Sequence, residues 1–268
     1  MRTFFPNIWV QVPEIFLPKK WVDMEKRAVV ACDLYTSQPE YRNNVKKVVG
    51  NDPSTLNIIF PEVYLEEAGK QERIASIQKS MNTYLEEGVL ENQWPCFILV
   101  DRKTSHAQSR KGLIVALDLE QYDFNKGSQT LIRATEWTIL DRLPPRIEIR
   151  KDAPLESPHI MVLIDDPEKT VIEALFSERD HYEKVYDTDL MMNWGHITWY
   201  KINDEASIDR AITNLEKLAD KEAFKERYGL NKDLWVLLFA MGDGNHSLAT
   251  AKAIREQKKQ SLTETEKE

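Results

Sequence analysis

One segment near the carboxyl end of the chain constrains the fold more than any other: an apolar run, a glycine loop and a helical stretch in direct succession. Leu234–Met241 is a nearly unbroken apolar run with the length of a buried strand. Gly242, Asp243 and Gly244 follow it, and Ala249–Ile254 is alanine-rich and favours a helix. This order predicts a strand, a tight loop and a helix.

Similar patterns occur along the rest of the chain. Short apolar runs predict further strands at Leu56–Phe60, Phe97–Val100, Leu113–Leu117, Ile147–Ile149 and Ile160–Ile164. Apolar residues at helical spacing predict helices from Glu62 to Glu87, from Pro167 to Tyr186 and from Glu205 to Tyr228. We therefore expect an α/β (α+β) protein in which a mixed β-sheet is flanked by helices.

The length of 268 residues fits one compact body, so we expect a single domain over residues 1–268. The polar stretch 101–111 separates two predicted strands and is the expected flexible loop of a long hairpin. The polar tail 257–268 is expected to fray. Pro144 and Pro145 predict extended backbone just before the strand at Ile147–Ile149.

Composition excludes several classes of function. Hydrophobic residues make up 42% of the chain and charged residues 30%, which is typical of a globular protein. The formal charge of -8 is spread along the chain without a block of Lys and Arg, which argues against duplex nucleic acid as a partner. No apolar run approaches the roughly 20 residues of a membrane span. Cys32 and Cys96 lack metal-ligand spacing. We expect a cytoplasmic protein that binds a small molecule.

The glycine loop is the first candidate site. Two glycines between a strand and a helix let the backbone approach a ligand closely, and the first-turn N–H groups favour an anion such as phosphate. Asp243 and His246 flank this position and could hold a metal, accept a proton or orient a hydroxyl. The alternative is that Asp243 or Asn245 only caps the helix and that His246 packs locally. Both interpretations remain open.

Two other segments carry polar groups suited to ligands. Arg133 and Glu136 lie close in sequence to Asp141 and Arg142, and arginine forks suit phosphates and carboxylates. Surface ion pairs among these residues are the alternative. The third segment has an acid and several hydroxyl groups close together in one turn-like stretch. Its candidate pocket residues are Asp33, Tyr35, Thr36 and Ser37. The alternative to a ligand pocket is that these side chains cap a helix.

Three stretches of the chain together resemble one known family. They are Ala31–Tyr41, Arg133–Glu136 with Asp141–Leu143, and Gly242–Ala251. In this order and spacing they are similar to the bacterial and archaeal proteins of domain-of-unknown-function family 1015. Most of that family has Asp-Gly-His-His-Arg in the last motif, and here Asn245 and Ser247 replace the first histidine and the arginine. Family members tend to be longer, so the resemblance implies that this chain is the N-terminal part of a longer protein.

The last motif in turn resembles the phosphate-binding helix start of the fold shared by ParB, sulfiredoxin and a free-serine kinase. This likeness implies a ParB/sulfiredoxin-like strand, loop and helix in the C-terminal part of the chain. It also implies a nucleotide (ATP, ADP or CTP) and Mg²⁺ as cofactors. Asp243 would be the base or metal ligand, with His246 and Glu136 as further catalytic groups. The implied phosphate-binding residues are Gly242, Gly244, Asn245, Ser247, Arg133 and Arg142.

The resulting hypothesis is a nucleotide-dependent phosphotransferase that acts on a small hydroxylated metabolite, with positioning supplying most of the rate. A second hypothesis is a module that senses a nucleotide or metabolite without turnover, which would explain the replacement of the motif histidine and arginine. A third is a structural or interaction protein, in which the glycine loop serves only packing. Product formation from a bound nucleotide distinguishes the first hypothesis from the second.

Overall fold

The computed structural model describes residues 2–30, 38–65, 67–157 and 160–263. Within these ranges the α-helices are α1 (Met24–Arg27), α2 (Pro39–Val49), α3 (Lys70–Glu86), α4 (Leu143–Arg150), α5 (Ile172–Ser177), α6 (Glu205–Leu218), α7 (Lys221–Arg227) and α8 (Asn245–Lys259). The strands there are β1 (Phe4–Phe5), β2 (Val10–Gln11), β3 (Glu14–Pro18), β4 (Leu90–Pro95), β5 (Phe97–Lys103), β6 (Arg110–Ile114), β7 (Ala116–Leu117), β8 (Tyr122–Asp123), β9 (Ile132–Ala134), β10 (Met161–Leu163), β11 (Glu183–Asp189), β12 (His196–Ile202) and β13 (Phe239–Asp243). None of these helices has both the length and the apolar composition needed to span a bilayer.

The strands form two four-stranded sheets and two smaller ones. One sheet, called the site sheet below, has the order β10, β13, β9, β8; β13 and β8 run parallel to β9, and β10 runs antiparallel to β13. The other has the order β11, β12, β5, β6 and is antiparallel throughout. The prediction of an α/β protein with a mixed sheet and helices is therefore confirmed.

Two hydrophobic clusters hold elements that form the candidate site. The main cluster contains fully buried residues of the site sheet, Ile132 and Met241, together with Ala249 of α8. The second cluster includes Ile77 and Met81 on one face of α3. Its other members precede or follow that helix in the sequence. Burial of these apolar side chains stabilises the fold through the hydrophobic effect.

The segment Ile147–Ile149, predicted as a strand, is part of helix α4 instead. Pro144 and Pro145 lie in the first turn of this helix. A proline is tolerated there because the N–H group that it lacks would have no partner within the helix. The prolines therefore start a helix, and this correction matters because α4 forms one side of the candidate site.

Two predicted strands are also wrong in whole or in part. Leu56–Phe60 has no strand; a 3-10 turn spans Thr55–Asn57, and Ser54 Oγ caps it by accepting from the N–H of Leu56 at 3.2 Å. In the apolar run Leu234–Met241, the strand begins only at Phe239. The carbonyls of residues 235 and 236 accept hydrogen bonds from an arginine side chain rather than from a neighbouring strand.

The other predicted elements are present with changed boundaries. The hairpin of β5 and β6 is confirmed, but strand pairing continues through Asp101–Lys111 and Arg102–Arg110, so the connecting loop is 104–109 rather than 101–111. The predicted helix 167–186 is limited to α5 and gives way to β11. The predicted helix 205–228 is divided into α6 and α7 because Asp220 caps α7 by accepting from the N–H of Ala223 at 2.8 Å. Helix α8 continues to residue 259, into the predicted frayed tail.

Candidate functional site

The candidate site lies at one edge of the site sheet. Strands β9 and β13 are parallel and pair Ala134 with Met241, so their carboxyl ends point to the same edge. Glu136 follows β9 by two residues, and Asp243 is the last residue of β13. Both line a cleft of about 560 Å³. Ligands of open α/β sheets commonly bind at this kind of edge, outside the carboxyl ends of parallel strands.

The loop between β13 and α8 is a single residue, Gly244. Its φ of 86° lies in the left-handed region, which favours glycine because a Cβ atom would strain the backbone there. The N–H of Gly244 donates to Asp243 Oδ1 at 2.8 Å. Helix α8 begins at Asn245, four residues before the predicted alanine-rich stretch. Asn245, His246 and Ser247 therefore form the first helical turn, whose N–H groups lack partners within a helix and favour an anion.

Asn245 connects the start of α8 to the segment after β9 by a hydrogen bond. The side chain is buried, and its Nδ2 donates to Glu136 Oε1 at 3.1 Å. Its carbonyl accepts from the hydroxyl of Tyr122 at 3.4 Å. Its Oδ1 has no hydrogen-bond partner among the described residues. A buried carbonyl oxygen in that state destabilises the protein by about 1–3 kcal/mol, so a ligand donor would be favourable.

His246 is held in one tautomer by a backbone group. Its Nε2 accepts a hydrogen bond from the N–H of Ile139 at 3.1 Å. Burial lowers the pKa of His246, the positive charges of Arg142 and Arg146 lower it further, and Glu136 opposes them. The ring is therefore neutral near pH 7 with its proton on Nδ1, which makes it a hydrogen-bond donor rather than a base.

Three arginines spaced four residues apart line the same cleft: Arg142, Arg146 and Arg150. Because they are spaced by about one helical turn, they lie along one side of α4 and its cap residue. Arg150 Nη1 donates to the carbonyl of Ser247 at 2.7 Å, and its Nε donates to Glu156 at 2.7 Å. Arg146 donates to the carbonyl of Arg142 at 2.8 Å and forms an ion pair with Glu62.

Sequence reasoning named Arg142 and missed Arg146 and Arg150. The four-residue spacing of the three arginines was available as a signal. By itself this spacing does not distinguish a helix from the strand that Pro144 and Pro145 predict, because residues four apart share one face in both.

Most of the predicted site residues line this cleft, and several do not. Glu136, Arg142, Asp243, Gly244, Asn245, His246 and Ser247 line it. Arg133 is not among the described lining residues: its guanidinium donates to the carbonyls of Thr130, Trp235 and Val236 at 2.6–2.9 Å. Arg133 therefore holds the approach to β13 in place. Gly242 does not line the cleft either and packs against Leu163 of β10. Asp33, Tyr35, Thr36 and Ser37 lie outside the described residues.

The described part of the chain contains no group of three or more His, Cys, Asp or Glu side chains placed to hold a metal. Asp243 is exposed at the cleft and has one carboxylate to contribute. Magnesium commonly binds through one or two carboxylates and takes its remaining ligands from water and substrate phosphates. This residue set therefore fits magnesium only together with a phosphorylated ligand.

Comparisons with known proteins identify a family but no characterised relative. No curated protein matches the chain, and no solved structure matches it. One family model, described as a protein of unknown function (DUF1015), matches residues 16–268. This range includes the whole of the site sheet, α4 and α8. The chain therefore belongs to the DUF1015 family.

Proposed function

We propose that the cleft binds the phosphates of a nucleotide and that the protein transfers a phosphoryl group to the hydroxyl of a small molecule. The observation that carries this proposal is the convergence of Arg142, Arg146 and Arg150 on the cleft that also receives the first turn of α8. Arginine forks and free helical N–H groups are two independent means of binding phosphate. The cleft volume of about 560 Å³ also suits a ligand of nucleotide size.

Each side chain then has a role that its geometry supports. Exposed Asp243 would accept the proton of the attacking hydroxyl or bind magnesium. His246 would donate from Nδ1, because its Nε2 is occupied by Ile139. Glu136 would hold Asn245 and so position the helix start. Phosphoryl transfer needs mainly such positioning and charge stabilisation, because the protein does little covalent chemistry in it.

A non-catalytic nucleotide sensor is the second candidate. It is favoured by the hydrogen bond from Ile139 to His246, which removes the ring nitrogen that could act as a base. Ser247 also supplies no charge at the position where the resemblance implies arginine. A sensor would bind the nucleotide through the same arginines and release it unchanged.

The first experiment measures binding. Thermal shifts are recorded with ATP, ADP, CTP, GTP and tripolyphosphate, each with and without magnesium, on the wild type, Arg146→Gln and Arg179→Gln. Arg179 is a matched control because it is partly exposed and is not among the described lining residues. A ligand at a hundred times its Kd stabilises the native state by about 2.7 kcal/mol. We expect a nucleotide-dependent shift that Arg146→Gln reduces and Arg179→Gln leaves unchanged. No shift with any of these ligands would contradict both candidates.

The second experiment separates transfer from sensing. The wild type and Asp243→Asn are incubated with the bound nucleotide, magnesium and a panel of small alcohols, and nucleoside diphosphate and phosphate ester are quantified by phosphorus NMR. Transfer predicts an ester formed in equal amount to the diphosphate, lost in Asp243→Asn while nucleotide binding persists. Binding without any product would assign the protein to the sensor class.

A further inference from the structure

The arginine-rich part of the cleft continues into an apolar part, called the apolar wall below. Its residues belong to the second hydrophobic cluster and also line the cleft: Ile58, Phe60, Ile77, Met81, Ala153 and Leu155. Leu155 and Phe60 are only partly buried, so a ligand in the cleft can contact them. The cleft is therefore lined by both arginines and apolar side chains.

Among the polar residues that line the cleft, Thr55 is the nearest in sequence to Ile58 of the apolar wall, and its side chain already has partners in the protein. Thr55 Oγ1 donates to the carbonyl of Arg27 at 2.9 Å and accepts from the N–H of Val29 at 3.1 Å. A ligand rich in hydroxyls would lose hydrogen bonds to water here and regain few, whereas an apolar ligand would gain from burial.

We infer that the acceptor of the transfer is a hydrophobic alcohol, whose aliphatic or aromatic body lies on the apolar wall while its hydroxyl reaches the phosphates. This inference rests on the proposed function. In the transfer, the bond between the γ-phosphorus and the bridging oxygen of a nucleoside triphosphate breaks. A bond from the acceptor oxygen to that phosphorus forms, and the hydroxyl proton passes to the carboxylate of Asp243. The products are a nucleoside diphosphate and a hydrophobic phosphate monoester.

The test compares two phosphate monoesters of equal size and charge. Pentyl phosphate and glycerol 3-phosphate have the same number of non-hydrogen atoms and differ in the polarity of the body. Calorimetric titration of the wild type should give pentyl phosphate at least about a tenfold lower Kd, because several methylene groups leave water. Leu155→Gln should reduce that preference to about threefold or less. The matched control Leu262→Gln, an exposed leucine after α8 that is not among the described lining residues, should keep it.

The outcomes separate this inference from the proposed function. Equal binding of the two esters, or tighter binding of glycerol 3-phosphate, would overturn the inference while phosphate binding stands. If Leu155→Gln weakens ATP relative to tripolyphosphate but leaves pentyl phosphate unchanged, the wall binds a nucleobase and the inference is again overturned. If neither ester nor tripolyphosphate nor ATP binds, the proposed function fails and the inference fails with it. Melting temperatures of both variants show whether each is folded.

Discussion

The Nε2 atom of His246 accepts a hydrogen bond from the backbone N–H of Ile139 at 3.1 Å. This contact joins the first turn of α8 to the segment that leads from β9 to α4. Because Nε2 accepts this bond, the proton of the neutral imidazole lies on Nδ1. The histidine of the motif is therefore part of the framework of the cleft as well as a candidate ligand contact.

The lowered pKa of His246 predicts a pH dependence of stability. The pKa of His246 lies below its ordinary value, first because of burial and then because of Arg142 and Arg146. Between that lowered pKa and about 6.5, the unfolded chain binds more protons than the folded one, so the free energy of unfolding falls as the pH is lowered through this range. His246→Gln can still accept from Ile139 but does not titrate, and it should remove this part of the slope. His246→Ala should cost about 1 kcal/mol at neutral pH. Urea unfolding between about pH 5 and about pH 8 measures both; an unchanged slope in His246→Gln would contradict the assignment.

His196 should show the opposite pH dependence. Its Nδ1 lies 2.8 Å from Asp189 Oδ1 and its Nε2 lies 2.7 Å from Asp187 Oδ1. These hydrogen bonds, the one to Asp189 most strongly, raise the pKa of His196 above its ordinary value. The interaction of protonated His196 with the two aspartates therefore stabilises the folded state fully below about pH 6.5. This contribution to the free energy of unfolding is lost as the pH rises through the raised pKa. The side chain is 35% exposed, so solvent screening limits the effect to about 1 kcal/mol or less.

The variant His196→Gln tests this second dependence. It should be less stable than the wild type in acid and should converge with it at alkaline pH, as measured by urea unfolding. Added salt should shrink the difference, because the charges lie near the surface. A difference that grew with pH would show that the two aspartates do not stabilise the imidazolium.

Gly244 allows a test that separates backbone strain from ligand binding. Gly244 and Gly229 have φ values of 86° and 57°, so alanine is strained at both positions. Each alanine variant should lower the free energy of unfolding by about 1 kcal/mol. Of the two variants, only Gly244→Ala should also weaken binding of the proposed nucleotide, because Gly244 lines the cleft and Gly229 is not among the described lining residues. Equal ligand affinity in the two variants would mean that the loop is a helix cap and nothing more.

Sequence patterns predict those parts of the fold that are decided by neighbouring residues in the chain. The succession of strand, Gly244 and helix is present as predicted, and the resemblance selected cleft residues as far apart as Glu136 and Asp243. Boundaries failed where a tertiary contact decided them. β13 is short because Arg133 binds the carbonyls that precede it, and no local pattern contains that contact.

The misassigned helix α4 had the largest consequence for the site. A proline disfavours a helical residue before it, and it also suits the first turn of a helix. Which effect prevails depends on the residues that follow. Here Arg146 and Arg150 continue a four-residue repeat from Arg142, and Leu143 and Ile147 pack against the main cluster. The repeat alone does not decide, because residues four apart also share one face of a strand; the helix depends on the packing of Leu143 and Ile147 in the folded chain.

Glu136 could position Asn245 or act on the substrate itself. A double-mutant cycle with Asn245 tests the positioning role. The buried Nδ2 of Asn245 donates to the exposed carboxylate of Glu136 at 3.1 Å. If Glu136 is a positioning residue, Glu136→Ala and Asn245→Ala should show a coupling free energy of about 1 kcal/mol in urea unfolding.

The conservative variant Glu136→Gln extends this test to function. Glutamine keeps an oxygen that accepts from Asn245 and lacks the negative charge, so it should retain most of the stability and most of the nucleotide affinity. Glu136→Ala should lose both, because the first turn of α8 is then no longer fixed against β9. If Glu136→Gln instead bound nucleotide normally but lost all transfer, the carboxylate would have to act on the substrate itself. Glu136 would then be a catalytic residue, and Asp243 would no longer be the sole candidate for the base.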